Sequence, residues 1–316
     1  MDDRPTVKIK RGEQPPPQSN NVWALLLIGA GVILLLGNLG ILAGIGRLWP
    51  LLLVGVGAWL LINRDNPPLQ LRHERYTAPV DGAVATRVKL NLSVGENSIH
   101  SLPDEQMLVD ADLTFLGDVQ FVAQGEAQKF VSLGQTGGFS MEWINPANWF
   151  QGDQYRNLRW DIGLNKTVPL DLDIHGGVGR SRVDLSDLNL NSLDIGGGVG
   201  ELVVTLPAQA NRLDARLRVG VGKLDLTIPT GASADIEVKG GVGSTTISTP
   251  ANAAVRLVAD SGIGDVKVTP RMTRISGDQS EFNIGKSGTW ETPGFADAAQ
   301  QIVIRYNGGV GELRVV

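Results

Sequence analysis

The chain has 316 residues, 19% of them charged and 5% aromatic, and its formal net charge is −5. It contains no cysteine, which excludes disulfide scaffolds, cysteine-based zinc sites and thiol nucleophiles. No basic block is long enough to suggest nucleic-acid binding, and the 40 glycines are concentrated in an apolar N-terminal region and in a set of repeats.

Residues 1–20 are polar, carry Pro15-Pro16-Pro17 and show no apolar periodicity, so they read as a disordered tail. Two apolar runs follow within residues 21–63. Val22–Leu42 is long enough, at ~1.5 Å per residue, to cross a bilayer core of ~30 Å. Leu48–Ile62 is shorter and reaches spanning length by borrowing back to Gly44, with Arg47 snorkelling to the interface. Gly29, Gly31, Gly55 and Gly57 let two helices approach closely, and Trp49-Pro50 suits an interfacial turn. These features predict a two-helix transmembrane hairpin rather than a cleaved signal peptide, because no small-residue cleavage site closes the first run. Arg4, Lys8, Lys10 and Arg11 precede the hairpin, and Arg64, Arg72 and Arg75 follow it, against Arg47 alone between the runs. The positive-inside rule then places both ends, including the C-terminal domain, on the cytoplasmic side of the cytoplasmic membrane.

Residues 64–80, with Pro67-Pro68, read as a linker. From residue 81 to 316 the pattern is all-β. The clearest part is a phrase of alternating strand, glycine-valine-glycine turn and alternating strand. It recurs at Gly176–Gly179, Gly197–Gly200, Gly220–Gly222 and Gly240–Gly243, and more weakly at Ser261–Gly264. The last glycines fall at 179, 200, 222, 243 and 264, in steps of 21, 22, 21 and 21. A fixed period of this length marks stacked repeats, so the predicted fold is a β-solenoid, β-helix-like, of ~21-residue Gly-Val-Gly repeats. Alternation such as Leu170-Asp-Leu172-Asp-Ile174 gives each strand one apolar and one wet face. The glycines supply positive φ or close approach at the corner, and the valine between them is expected to point inward. Gly95 and Gly117, 22 residues apart, suggest that a degenerate form of the repeat starts near residue 85. Gly285, and Gly308–Gly311 in the last strand, suggest that the stack continues to the C-terminus with an insertion near 286–300. Arg314-Val315-Val316 would then leave an open edge for end-to-end self-association.

Trp143, Trp149, Phe150, Tyr155 and Trp160 crowd into a stretch that breaks the rhythm. They read either as a cap over the end of the stack or as a partner-docking surface, since aromatics dominate interface hot spots. His73, His100 and His175 show no metal-ligand spacing, and the glycines match neither phosphate-loop pattern. Asp171, Asp173, Asp184, Asp187 and Asp194 lie near turns without the spacing of calcium-binding β-rolls. No catalytic residue, metal or cofactor is expected.

The paired apolar runs, with Leu25–Leu36 and Trp49–Gly57, resemble the LiaI/LiaF-type transmembrane region. The stretches Trp160–Leu172 and Val183–Pro207 resemble the LiaF-like, or toast-rack, domain of cell-wall-active antibiotic response proteins. The resemblance implies a membrane-anchored β-domain that senses or regulates envelope stress, with no catalytic residues to carry over. LiaF itself is a negative regulator of a sensor histidine kinase. This chain has two apolar runs where four are expected of LiaF, which bears on kinase partnership more than on fold. The function expected is that of a non-enzymatic regulatory or sensory membrane protein of the envelope stress response. Its partners would be the lipid bilayer and a membrane sensor kinase or other envelope protein, with no nucleic acid. The alternative is a structural or adhesin-like surface protein whose solenoid lies outside the cell.

Overall fold

The computed structural model describes residues 71–136, 157–277 and 287–316. The expected membrane hairpin, the disordered tail and Gly285 lie outside the described residues. Among the described residues, no helix is long and apolar enough to cross a membrane.

In chain order the strands are β1 (Leu71–Pro79), β2 (Ala85–Asn91), β3 (Val94–Ser101), β4 (Met107–Leu116), β5 (Asp118–Gln124), β6 (Gln128–Thr136) and β7 (Arg159–Leu164). The regular repeats supply β8 (Leu170–His175), β9 (Val178–Asp184), β10 (Leu190–Gly196), β11 (Val199–Thr205), β12 (Leu213–Arg218), β13 (Val221–Thr227), β14 (Ala234–Lys239) and β15 (Val242–Ser248). The C-terminal part adds β16 (Ala254–Ile263), β17 (Val266–Lys267), β18 (Thr273–Ser276), β19 (Ser287–Glu291), a short 3-10 helix (Phe295–Asp297) and β20 (Gln301–Val315). The fold is therefore all-β and solenoid-like.

Each coil consists of two strands joined by the glycine corner. The first strands of the coils pair side by side in parallel, β2 with β8, β8 with β10, β10 with β12 and β12 with β14. The second strands form their own parallel row through β3, β9, β11, β13 and β15. The two rows share one apolar core. Alternation fills it: Leu172, Leu193, Ala215 and Ile236 form one buried column, and Val183, Val204, Leu226 and Ile247 another. A single coil could not bury its apolar face, but the stack does.

The corner is what sets the spacing. Gly95, Gly179, Gly200, Gly222, Gly243, Gly311 and Gly264 form a continuous ladder, each with φ between +124° and +148°. A Cβ on Gly222 would lie 1.8 Å from the Gly200 carbonyl oxygen, and one on Gly243 would lie 1.7 Å from that of Gly222. Both the conformation and the contact exclude a side chain.

The N-terminal end departs from the repeat. Residues 71–79, expected in the linker, form β1, which runs antiparallel to β4. Strand β4 is antiparallel to β7, and β5 to β6, so the chain runs backwards through Gly117. The β2/β3 coil does carry the repeat, with Gly95 in the ladder, but Gly117 does not: it joins β4 and β5, which run opposite to the coil strands β7 and β6 beside them. The next rung after Gly95 is Gly179. On its other side β3 pairs in parallel with β7, so that Leu158 lies against Gly95. The loop after β7 is clamped by buried Asn165. Its Nδ2 donates to the carbonyls of Glu105 and Met107, and its Oδ1 accepts from the backbone amides of Thr167 and Val168.

The C-terminal end corrects a second expectation. The stack does not follow chain order. Strand β20 lies between the β14/β15 coil and the β16/β17 coil, parallel to all four strands. Arg314 lies between Thr246 and Lys267, and Val315 is buried opposite Ile247, so the strand expected at the edge lies inside the stack. The outer strands at this end are β17, two residues long, and β18, four residues long, with β19 antiparallel to β16 and β18. Short edges of this kind, and the exposed charged residues Arg72, His73, Glu74 and Arg75 on β1, resist edge-to-edge pairing.

Gly222→Ala is expected to destabilise the domain by on the order of 3 kcal/mol or more, because it combines strained φ with overpacking against backbone. Gly231 also has positive φ but open space around it, so Gly231→Ala is expected to cost only about 1–2 kcal/mol. Denaturant unfolding of the two variants checks the difference. Equal losses would show that the ladder contact is not limiting.

Candidate interaction surface

The valine at each corner points outward, contrary to the inward orientation its glycine flanks suggested. Val94, Val178, Val199, Val221, Val242, Val310 and Ile263 are in register from coil to coil and are 38% to 54% exposed. With a strand spacing of ~4.8 Å, the seven side chains form a ridge about 29 Å long. The reason lies in the backbone. The following glycine adopts positive φ and turns the chain, so the alternation that buries Leu224 and Leu313 restarts after the corner. The valine is left on the outside of the bend. Such a continuous apolar line on a soluble surface is a candidate contact site.

Both flanks of the ridge are charged. On the second-strand row, Arg180 Nε lies 2.8 Å from Glu201, Lys223 Nζ lies 3.9 Å from Glu201, and Lys223 also pairs with Asp225. Further along, Lys267 and Arg314 lie 3.1 and 2.8 Å from Glu312 and hold its carboxyl below the ordinary value. On the first-strand row, Arg218 lies 2.6 Å from Asp194, Arg216 3.9 Å from Glu237, and Arg212 3.1 Å from Asp235, which Arg305 also contacts. Exposed pairs like these contribute about 0–1 kcal/mol each. Their larger effect is to keep both outer faces soluble beside an apolar line.

The acids considered for a calcium site are dispersed among separate polar contacts. Asp171 accepts from Ser192 Oγ at 2.9 Å and faces Arg87 at 3.4 Å. Asp194 is bound to Arg218, Asp184 accepts the Ser186 amide, and Asp187 accepts from Ser101 Oγ. His175 Nδ1 lies 3.0 Å from Asp173, His100 lies 3.4 Å from Asp161, and His73 lies 3.4 Å from Asp112. Among the described residues, no group of three His, Asp or Glu side chains is placed to hold a metal ion.

Of the aromatic residues considered for docking, Trp160 is 1% exposed and packs in the core, where Asn97 and Leu113 are its partners in register. It is a structural residue. Trp143, Trp149, Phe150 and Tyr155 lie outside the described residues, in the segment between β6 and β7. The ridge was visible in the sequence as a valine or isoleucine at every corner, but the pattern was silent on which way it pointed.

Strand β1 fastens the start of the domain to the stack. Arg75 pairs with Asp110, and Arg72 lies 3.0 Å from Asp118. Lys129 Nζ donates to the Pro79 carbonyl at 2.7 Å and to Asp81 at 2.8 Å. The hydrogen bond from Arg75 holds the Asp110 carboxyl below its ordinary value of 3.8. Burial, aided by the hydrogen bond to Glu74, pushes the Tyr76 phenol up to about 12.

Three outcomes are expected. Val199→Ser and Val221→Ser each change stability by less than about 0.5 kcal/mol. Leu224→Ala, which empties a buried position beside the same corner, costs about 2–5 kcal/mol; urea unfolding distinguishes them. Asp110→Asn is less stable than the parent at pH 7 by up to about 1 kcal/mol. Because the folded carboxyl is depressed, that gap persists above pH 3.8 and closes as pH falls below it. Tyr76 has the opposite sign: its contribution is complete below pH 10 and is lost as pH rises toward 12. The gap between the parent and Tyr76→Phe is therefore expected to shift only over that alkaline window.

The family model described as the N-terminal domain of toast_rack, DUF2154, matches residues 68–227, and that for the LiaF transmembrane domain matches residues 22–72. No curated protein matches. A candidate cell adhesion protein from Clostridium sporogenes ATCC 15579 aligns at 17% identity over 78% of this chain and 99% of its own, with a TM-score of 0.44. A candidate adhesin from Bacteroides fragilis NCTC 9343 aligns at 13% identity over 78% and 97%, with a TM-score of 0.35. The stacked two-row domain agrees with the toast_rack match, and the chain belongs to the LiaF-like toast-rack family, with a LiaF-type transmembrane region matched at its N-terminus.

Proposed function

We propose that this protein is a membrane-anchored regulator of a bacterial envelope stress response, which acts by contact with another membrane protein and without catalysis. The observation that carries this reading is the joining of a LiaF-type membrane region, residues 22–72, to a toast-rack stack with an apolar ridge about 29 Å long on its outer corner. The partner is a membrane sensor kinase or another envelope protein. The two apolar runs cross the cytoplasmic membrane as a hairpin, and the stack lies on the cytoplasmic side, as the distribution of basic residues favours. Contact along the ridge would bury the valines against an apolar strip of the partner, while the flanking ion pairs fix its orientation.

The test is crosslinking and purification from native membranes, comparing the parent with a Val199→Ser, Val221→Ser and Val242→Ser triple variant. The parent is expected to retain an identified membrane signalling or envelope protein. The variant is expected to lose most of it at unchanged thermal stability. Equal retention by both would remove the ridge from the mechanism, and recovery of no such protein would overturn the regulatory reading. A C-terminal reporter active only outside the cytoplasm would reverse the orientation.

A further inference from the structure

The position of β20 has a consequence that is independent of the regulatory reading. The coil β16/β17 follows β14/β15 in the chain after the usual 21-residue step, Gly243 to Gly264, yet it stacks on β20 instead. The loop that skips this extra strand, residues 249–253, is five residues long. The loops between neighbouring coils, residues 185–189, 206–212 and 228–233, are five to seven residues long. Nothing in its length commits the chain to leaving a gap.

The surfaces on either side of β20 are complementary to each other. Its neighbours in register are Asp235 and Arg256 around Val303, Ile236 and Leu257 around Ile304, and Glu237 and Val258 around Arg305. Beyond these, Val238 and Ala259 flank Tyr306, and Lys239 and Asp260 flank Asn307. With β20 removed, apolar Val255, Leu257 and Ala259 would meet apolar Ala234, Ile236 and Val238. Arg256 would face Asp235, and Asp260 would face Lys239. The corners match as well. Gly243, Gly311 and Gly264 have φ of +142°, +148° and +144°, and Gly264 packs on the Gly311 carbonyl as Gly311 packs on that of Gly243.

We infer that β20 is an exchangeable inserted strand: the β16/β17 coil can close directly onto β14/β15, restoring chain order in the stack and releasing Gln301–Val316. The inserted form is the major one, because it has one more parallel interface and buries Ile302, Ile304, Tyr306, Leu313 and Val315. The released form carries a strand with free backbone donors and acceptors and an alternating apolar face. That is the chemistry of a donor strand for the sheet edge of a second protein. A partner that binds the released strand shifts the equilibrium only by its preference for that form.

The chain has no native cysteine, so paired cysteines report on the switch directly. Asp235→Cys with Arg256→Cys, and Glu237→Cys with Val258→Cys, sit on opposite sides of β20, about 9.6 Å apart at two strand spacings. A disulfide needs a Cα separation of roughly 4.4–6.8 Å, which only the released form provides. Val303→Cys with Arg256→Cys, adjacent in the inserted form, is the control. In the full chain under mild oxidation, the control is expected to crosslink rapidly. Both test pairs are expected to crosslink within the chain at least tenfold more slowly, with Arg305 becoming a trypsin site as they do. If both test pairs stay reduced while the control closes, or crosslink only between chains, the exchange does not occur.

Discussion

The close approach of one glycine carbonyl to the next glycine's α-carbon is the constraint on which the domain depends. At each corner the backbone has positive φ, and there is no room for a Cβ between neighbouring coils. Every coil must therefore present its glycine at the same height, and the strands on both sides are brought into register. Once register is fixed, a strict alternation of side chains sends the same face of every strand inward. The core is thus continuous although each coil contributes only a few apolar residues to it.

The same corner creates the exposed ridge. A turn that places glycine against glycine leaves the preceding β-branched residue on the outside of the bend, and stacking repeats that placement at every rung. An apolar line results from backbone geometry at no cost to the core, since the inward columns begin only after the corner. The charges beside it balance locally, Arg180 with Glu201 and Arg218 with Asp194, which sets polar flanks beside the apolar line.

The ends of the stack are treated differently from its middle. At the start, β1, β4 and β7 run in alternating directions and β1 is held by Arg75–Asp110 and by buried Lys129. At the other end the chain passes beyond its own last coil, returns, and inserts its final strand. The first puts exposed charged residues on its outer strand β1, and the second leaves only the short outer strands β17 and β18, where a regular parallel stack would expose a long plain edge. The second also leaves two coils separated that are matched in sequence and charge.

The sequence by itself determined the all-β class of the repeat domain, the 21–22-residue step, the glycine corners, the alternating inward faces of β8, β12 and of β13 beyond its corner, and the family. These are local and periodic, and each follows from alternation and from what glycine alone permits. The Trp160–Asn165 stretch was legible as a family feature, but only the structure shows why: Trp160 fills the core and Asn165 clamps the loop beside it. The tertiary structure decided the order of coils, the reversal at β4 and β5, and the outward turn of the valines. Gly311 fits next to Gly243 or Gly264 equally well by pattern, because one rung of a repeat looks like another. Likewise Val199 between two glycines is apolar whichever way it points. Only the assembled stack, where the glycine contact fixes the bend, decides which way the side chain faces.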